Sequence, residues 1–139
     1  MRTDPDCIFC KIVAGQIPCF KLYEDEDTIA FMDINPANEG HALAIVKAHH
    51  EDVHAIPDDL ISACARTAKR VARAVGLALE PDGINLVQAN GPGALQTVFH
   101  FHIHVLPRRR GDDLKLNWGH VPGDMDAVKA AYEKVKAAM

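Results

Sequence analysis

The sequence predicts an α+β fold: a mainly antiparallel five-stranded sheet with one long helix across one face and a second helix near the C-terminal end. Three observations predict it. Short apolar segments are bounded by turn residues, one long stretch carries apolar residues every three or four positions, and histidines alternate with apolar residues along a single segment. Phe20–Glu24 and Thr28–Asp33 read as strands joined by the turn Asp25-Glu26-Asp27, and Asn35–Gly40 is a loop by its Pro, Asn and Gly content. His41–Lys47 is the third strand, with the apolar run Ala42–Val46. From Asp58 or Asp59 to about Leu79 the period becomes helical, with Leu60, Cys64, Ala68, Val71 and Val75 on one face and the aspartates at the positive N-terminal end. Gly83–Gln88 is a fourth strand. The tight loop Asn90-Gly91-Pro92-Gly93 leads into the histidine strand Val98–Val105, which Pro107 ends. A helix from Asp124 to about Ala138 is expected to bury Val128, Tyr132 and Val135.

The 139 residues fit a single domain, 1–139, with its motifs in 7–107 and a loop and helix in 108–139. A formal charge of −4 argues against general nucleic-acid binding, which needs a dominant basic surface. The local exception, Arg108-Arg109-Arg110, is a solvated cluster or an anion-attracting rim. No apolar run is long enough to span a membrane and no secretory pattern precedes Cys7, so a cytoplasmic location is expected. The four cysteines are then thiols or metal ligands in a reducing compartment.

Chemistry concentrates in Val98-Phe99-His100-Phe101-His102-Ile103-His104-Val105. On a strand, Phe99, Phe101, Ile103 and Val105 turn to a core while His100, His102 and His104 line the other face. Imidazole is the side chain best suited to nucleophilic attack, proton transfer or metal binding near neutral pH. Cys7-Ile8-Phe9-Cys10 is the second signal. By spacing alone it is half of a zinc site, a redox pair or two incidental thiols. Cys19 and Cys64 read as structural, and His41, His54 and His120 as surface or structural histidines.

The run His100–Leu106 resembles the signature of the histidine-triad (HIT) superfamily, of the Hint and Fhit kind. Asn90–Phe99, Cys7–Val13, Phe31–Pro36 and Ile45–His49 resemble that family too, in the right order. The resemblance implies a nucleotide hydrolase or nucleotidyl transferase that cleaves at the α-phosphate of nucleoside phosphoramidates or dinucleoside polyphosphates. It would act through a covalent nucleotidyl-histidine and release a nucleoside monophosphate. His102 would be the nucleophile and His104 the phosphate binder and proton donor, with Gln96 and Thr97 touching the phosphate or leaving group. Asp33 would accept from the ribose hydroxyls, Phe9, Phe31 and Ile34 would wall a purine base, and Asn90 would lie near the ribose-phosphate.

The resemblance further implies a structural zinc held by Cys7, Cys10, His49 and His100, with His50 the alternative to His49, and no catalytic cofactor. Without a metal, His49 and His100 would instead form a hydrogen-bonded relay. A homodimer through the long helix and a sheet edge is also implied. Leu95 departs from the family's usual glycine and narrows the leaving-group side. The segment Arg108–Gly119, with Trp118 as a ring-stacking candidate, lies where branches differ. Two other classes stand beside the enzyme: a nucleotide-binding regulatory protein with little turnover, and a metal-binding protein using the histidine strand itself.

Overall fold

The structure, a computed structural model, describes residues 1–116 and 119–139. Asn117 and Trp118 lie outside the described residues. Five strands, β1 (Lys21–Glu24), β2 (Thr28–Met32), β3 (Ala42–Val46), β4 (Gly83–Val87) and β5 (His102–Arg108), form one antiparallel sheet in the order β1-β2-β3-β5-β4. Helices α1 (Ile8–Val13), α2 (Asp58–Leu79) and α3 (Met125–Ala138) complete the fold, with a short 3₁₀ turn at Pro92–Ala94.

β2 and β3 are buried on both faces, which is why their sequences are continuous apolar runs. On one face Ala30, Ala42, Ala44, Phe101, Ile103 and Val105 pack against Cys64, Ala68, Val71 and Val75 of α2. The small alanines let the helix approach closely. Its position is fixed further by a hydroxyl–hydroxyl bond of 2.7 Å between Thr28 and Thr67 and by the Cys64 thiol on the Ala44 carbonyl. On the other face Ile29, Phe31, Leu43 and Ile45 meet Phe9 and Cys10 of α1. The β3–β5 register sets Ile45 opposite His102 and Leu43 opposite His104. Two histidines of the strand therefore stand on the α1 face, away from α2.

The structure corrects three expectations and adds one helix. The period-two segment enters the sheet only at His102: before it, the Phe101 N–H is drawn to the His50 carbonyl, and Phe99 is 47% exposed instead of buried in the core. Pro107 does not end β5. It pairs with Ile84 beyond the last β3 contact at Val105, where β4 alone flanks the strand and a missing N–H is tolerated. α3 buries no residue: Val128, Tyr132 and Val135 are all more than half exposed, so its apolar stripe is left uncovered in the described chain. α1 was not anticipated, since six residues are too few to display a helical period.

The side chains of Arg108 and Arg109 have partners within the fold. Arg108 pairs with Asp112, Arg109 caps the carbonyls of Leu79 and Glu80 at the end of α2, and the Arg110 N–H meets Asp82. No helix among the described residues is long and apolar enough to cross a membrane.

Candidate functional site

A cavity of about 410 Å³ lies on the α1 face of the sheet. His102, His104 and His41 stand at one side, Phe9 and Phe31 on an apolar wall, and Asp33 at the end of β2. Ile34 is an exposed part of the lining, and Thr97 and Val98 also line the cavity. Phe9 is buried and edge-on to Phe31, His100 and His102, with ring centroids 5.7, 5.8 and 5.3 Å away, so it is both core and wall.

The protonation patterns of His102 and His41 follow from their backbone partners, and that of His104 from His41. A carbonyl only accepts, so His102 Nδ1–H donates to the His100 carbonyl at 2.6 Å. Its Nε2 is left with a free lone pair. The Ala37 N–H donates to His41 Nδ1 at 3.0 Å, which places the neutral ring's proton on Nε2. His41 Nε2–H then donates to His104 Nδ1 at 2.8 Å, and His104 in turn carries its own proton on Nε2. The Asp33 carboxylate lies 3.6 Å from His41 Nε2. The site therefore holds a deprotonated nitrogen on His102 beside a protonated one on His104, their ring centroids 4.8 Å apart.

Burial keeps all three rings neutral. It lowers the pKa of His102 against the opposing carbonyl bond and the charge of Asp33. It lowers His104 to about 4, reinforced by His102 and His41. It also lowers His41, where Asp33 pulls the other way.

On the far side of His102, Cys7, Cys10, His49 and His100 are all buried with their donor atoms within 4.8 Å of one another. Cys7 Sγ is 3.4 Å from His100 Nδ1, and Cys10 Sγ is 3.4 Å from His49 Nδ1 and 3.6 Å from His100 Nδ1. Tetrahedral zinc with ordinary bond lengths separates S and N ligands by ~3.6 Å. Both imidazoles turn Nδ1 inward and Nε2 toward oxygen, that of His100 to the Val46 carbonyl at 2.6 Å and that of His49 to the Asp4 carboxylate at 3.7 Å. That is the donor set and orientation a metal ion requires. His49, not His50, is the inward ring. Burial drives the His100 pKa down to about 4 and raises that of the Cys10 thiol.

Asp33, His41 and His104 form a second group of comparable span. Their hydrogen bonds make it a relay: with Nδ1 of His41 accepting from Ala37, Nε2 holds a proton and offers no lone pair to a cation.

Two expected contacts are not at the cavity. Gln96 is buried as a brace, its amide bonding Gly91, Glu51 and Val98, and Asn90 accepts from the Val53 N–H of the β3–α2 segment and bonds Gln88 beside it. Cys19, expected to be structural, lies on the cavity wall. Leu95 adopts a left-handed φ of 61° while 83% exposed, and it does not line the cavity. His41, read from the sequence as a surface or structural histidine, lines the cavity and bonds His104. Period-two counting back from Ile45 and Leu43 would have placed it on the triad face.

Comparison with known proteins agrees with this geometry. Residues 14–111 match the HIT domain. The chain is 39% identical to adenosine 5'-monophosphoramidase HNT1 of Saccharomyces cerevisiae over 137 residues, covering 98% of this chain and 84% of that protein. The crystal structure of SMU.412c from Streptococcus mutans superposes with a TM-score of 0.92 at 36% identity, covering 98% of this chain and 87% of that one. A Zn-bound histidine triad family protein from Mycobacterium smegmatis gives a TM-score of 0.75 at 37% identity, covering 96% and 98%.

Proposed function

This chain belongs to the HIT domain family, and we propose that it is a nucleotide hydrolase that cleaves at the α-phosphate through a covalent nucleotidyl-His102. Nucleoside phosphoramidates are the favoured substrates, in keeping with the monophosphoramidase relative, and dinucleoside polyphosphates are the alternative. The observation that carries this reading is the bond from His102 Nδ1 to the His100 carbonyl, which holds Nε2 unprotonated at the cavity beside His104.

In the first step His102 Nε2 forms a bond to the α-phosphorus while the bond from phosphorus to the leaving nitrogen breaks. His104 Nε2–H supplies the leaving group's proton, the His41–His104 pair having taken up one proton on binding the anionic phosphate, so that the ring is left neutral. His41 Nε2–H donates to His104 Nδ1 and so favours the His104 tautomer that carries its proton on Nε2. In the second step water attacks phosphorus, His104 takes its proton, and the His102–phosphorus bond breaks to release the nucleoside monophosphate. Two in-line displacements retain configuration at phosphorus. Thr97, which lines the cavity, would contact the phosphate, Asp33 would bind the ribose hydroxyls, and Phe9, Phe31 and Ile34 would enclose a purine.

Cys7, Cys10, His49 and His100 would hold a structural zinc, as their spacing and ring orientation suit. The ion would tie α1 to the start of β5. The carbonyl of His100 is also the acceptor that orients His102, so this cluster bears on the nucleophile through one residue.

A single cytoplasmic domain acting as a homodimer completes the proposal. β4 is an open sheet edge with Leu86 52% exposed, and Leu77 of α2 is 74% exposed, a surface suited to a two-fold partner. A monomer in sedimentation at micromolar concentration would contradict that part.

The catalytic test is intact-mass analysis after rapid, acid-free quenching of the protein with an adenosine phosphoramidate or a diadenosine polyphosphate. An adenylyl adduct on the wild type and none on His102→Asn is expected, with the variant's kcat/KM down by ~10⁴-fold or more. Absence of both adduct and AMP release with either substrate would leave a nucleotide-binding role instead.

A further inference from the structure

Resting on the zinc assignment above, we propose that Asp4 is the outer partner of the metal ligand His49, and that residues 2–6 form a strap closing the metal site. A metal-bound imidazole needs an acceptor for its far N–H. That acceptor fixes the ring's tautomer and rotation and strengthens the donor nitrogen. His100 has the Val46 carbonyl in this role at 2.6 Å. For His49 the facing group is the Asp4 carboxylate, 3.7 Å from Nε2, an ion-pair distance that a small ring rotation converts into a hydrogen bond.

Asp4 is held there by bonds unrelated to His49. Its N–H points at Cys10 Sγ at 3.4 Å, its carbonyl accepts from the Cys7 N–H at 3.2 Å, and its second carboxylate oxygen accepts from the Asp6 N–H at 2.8 Å. Two residues earlier in the strap, the Arg2 carbonyl accepts from the His49 N–H at 2.8 Å. The strap thus touches Cys7, Cys10 and His49, three of the four ligands. Nothing in the Cys-x-x-Cys pattern requires an aspartate three residues before the first cysteine; the fold brings it there.

The test measures zinc by chelator competition on the zinc-loaded full chain, with cobalt as a spectroscopic stand-in. Asp4→Asn is expected to weaken zinc binding about 10-fold, the low end for such partners because the carboxylate is 42% exposed, and to speed zinc release correspondingly. The cobalt spectrum should stay that of two sulfur and two nitrogen ligands, and Asp4→Glu should recover most of the affinity. Asp6→Asn, a neighbouring charge without a ligand contact, should bind as wild type does. The metal-free forms of Asp4→Asn and wild type should unfold at the same urea concentration. Zinc affinity of Asp4→Asn within twofold of wild type overturns the proposal, as does an equal loss in Asp6→Asn. A matching fall in metal-free stability also overturns it, since Asp4 would then serve the fold and not the metal. Failure of the wild type to bind zinc or cobalt at all is a separate result and removes the zinc assignment itself.

Discussion

His102 stands between two clusters built from nearly the same materials. On one side are two thiols and two imidazoles, on the other a carboxylate and two imidazoles, each group with donor atoms within 4.8 Å. What separates them is the far nitrogen of each ring. At the cysteine side both far nitrogens face oxygen acceptors, so the protons point outward and the lone pairs converge. At the carboxylate side the far nitrogen of His41 meets a donor, the Ala37 N–H, so the proton is pushed inward and passed along to His104. A single backbone amide therefore decides between a metal site and a proton relay. Residue types and spacing describe both clusters equally well; only the second neighbours tell them apart.

Removing one thiol should give the largest separation between the two sides. Cys10 contacts both His49 and His100, so Cys10→Ser is expected to lose the bound zinc. With it would go ~4 kcal/mol of stability at free zinc a thousandfold above Kd. Zinc content and the urea midpoint of the loaded chain measure this, and an unchanged zinc content would break the comparison. Next in size is His41→Asn. It should lower kcat about 100-fold by disturbing the proton on His104, with zinc content unchanged and KM moved little. Loss of zinc in that variant would mean the two sides are one unit, and turnover within threefold of wild type would remove His41 from the relay.

Much of this was legible in the chain. The five strands and α2 follow from apolar periods of two and of three to four, and the triad and Cys-x-x-Cys announce themselves by spacing. Illegible parts share a cause: they depend on contacts between segments. His41 gains its importance from Ala37 and His104, and Asp4 from His49. Gln96 and Asn90 carry polar groups that look available for substrate, yet backbone amides and carbonyls of neighbouring loops consume them. The apolar stripe of α3 is real in sequence, and no element of the described chain covers it.

Acid should take the two sides apart by different routes, with the smallest effect at the relay. At the cysteine side, protons compete with metal for sulfur and nitrogen, so zinc is released as pH falls. At the relay, burial lowers the folded pKa of His104 to about 4, whereas an unfolded histidine titrates near 6.5. Between those values the unfolded chain binds more protons. The contribution of His104 is therefore fully present above pH 6.5 and is lost progressively as pH falls toward 4. It amounts to at most about 3 kcal/mol, reduced by the ring's partial access to water. Urea unfolding of the metal-free chain at pH 7 and pH 4.5 should accordingly show a larger drop for wild type than for His104→Asn. Because His102 is also held below its ordinary value, chiefly by burial, turnover should stay flat from pH 8 to below 6.5 before it falls. An acid limb centred at or above 6.5 would mean that the cavity is wetter than its walls imply, and that the rings are kept neutral by something other than burial.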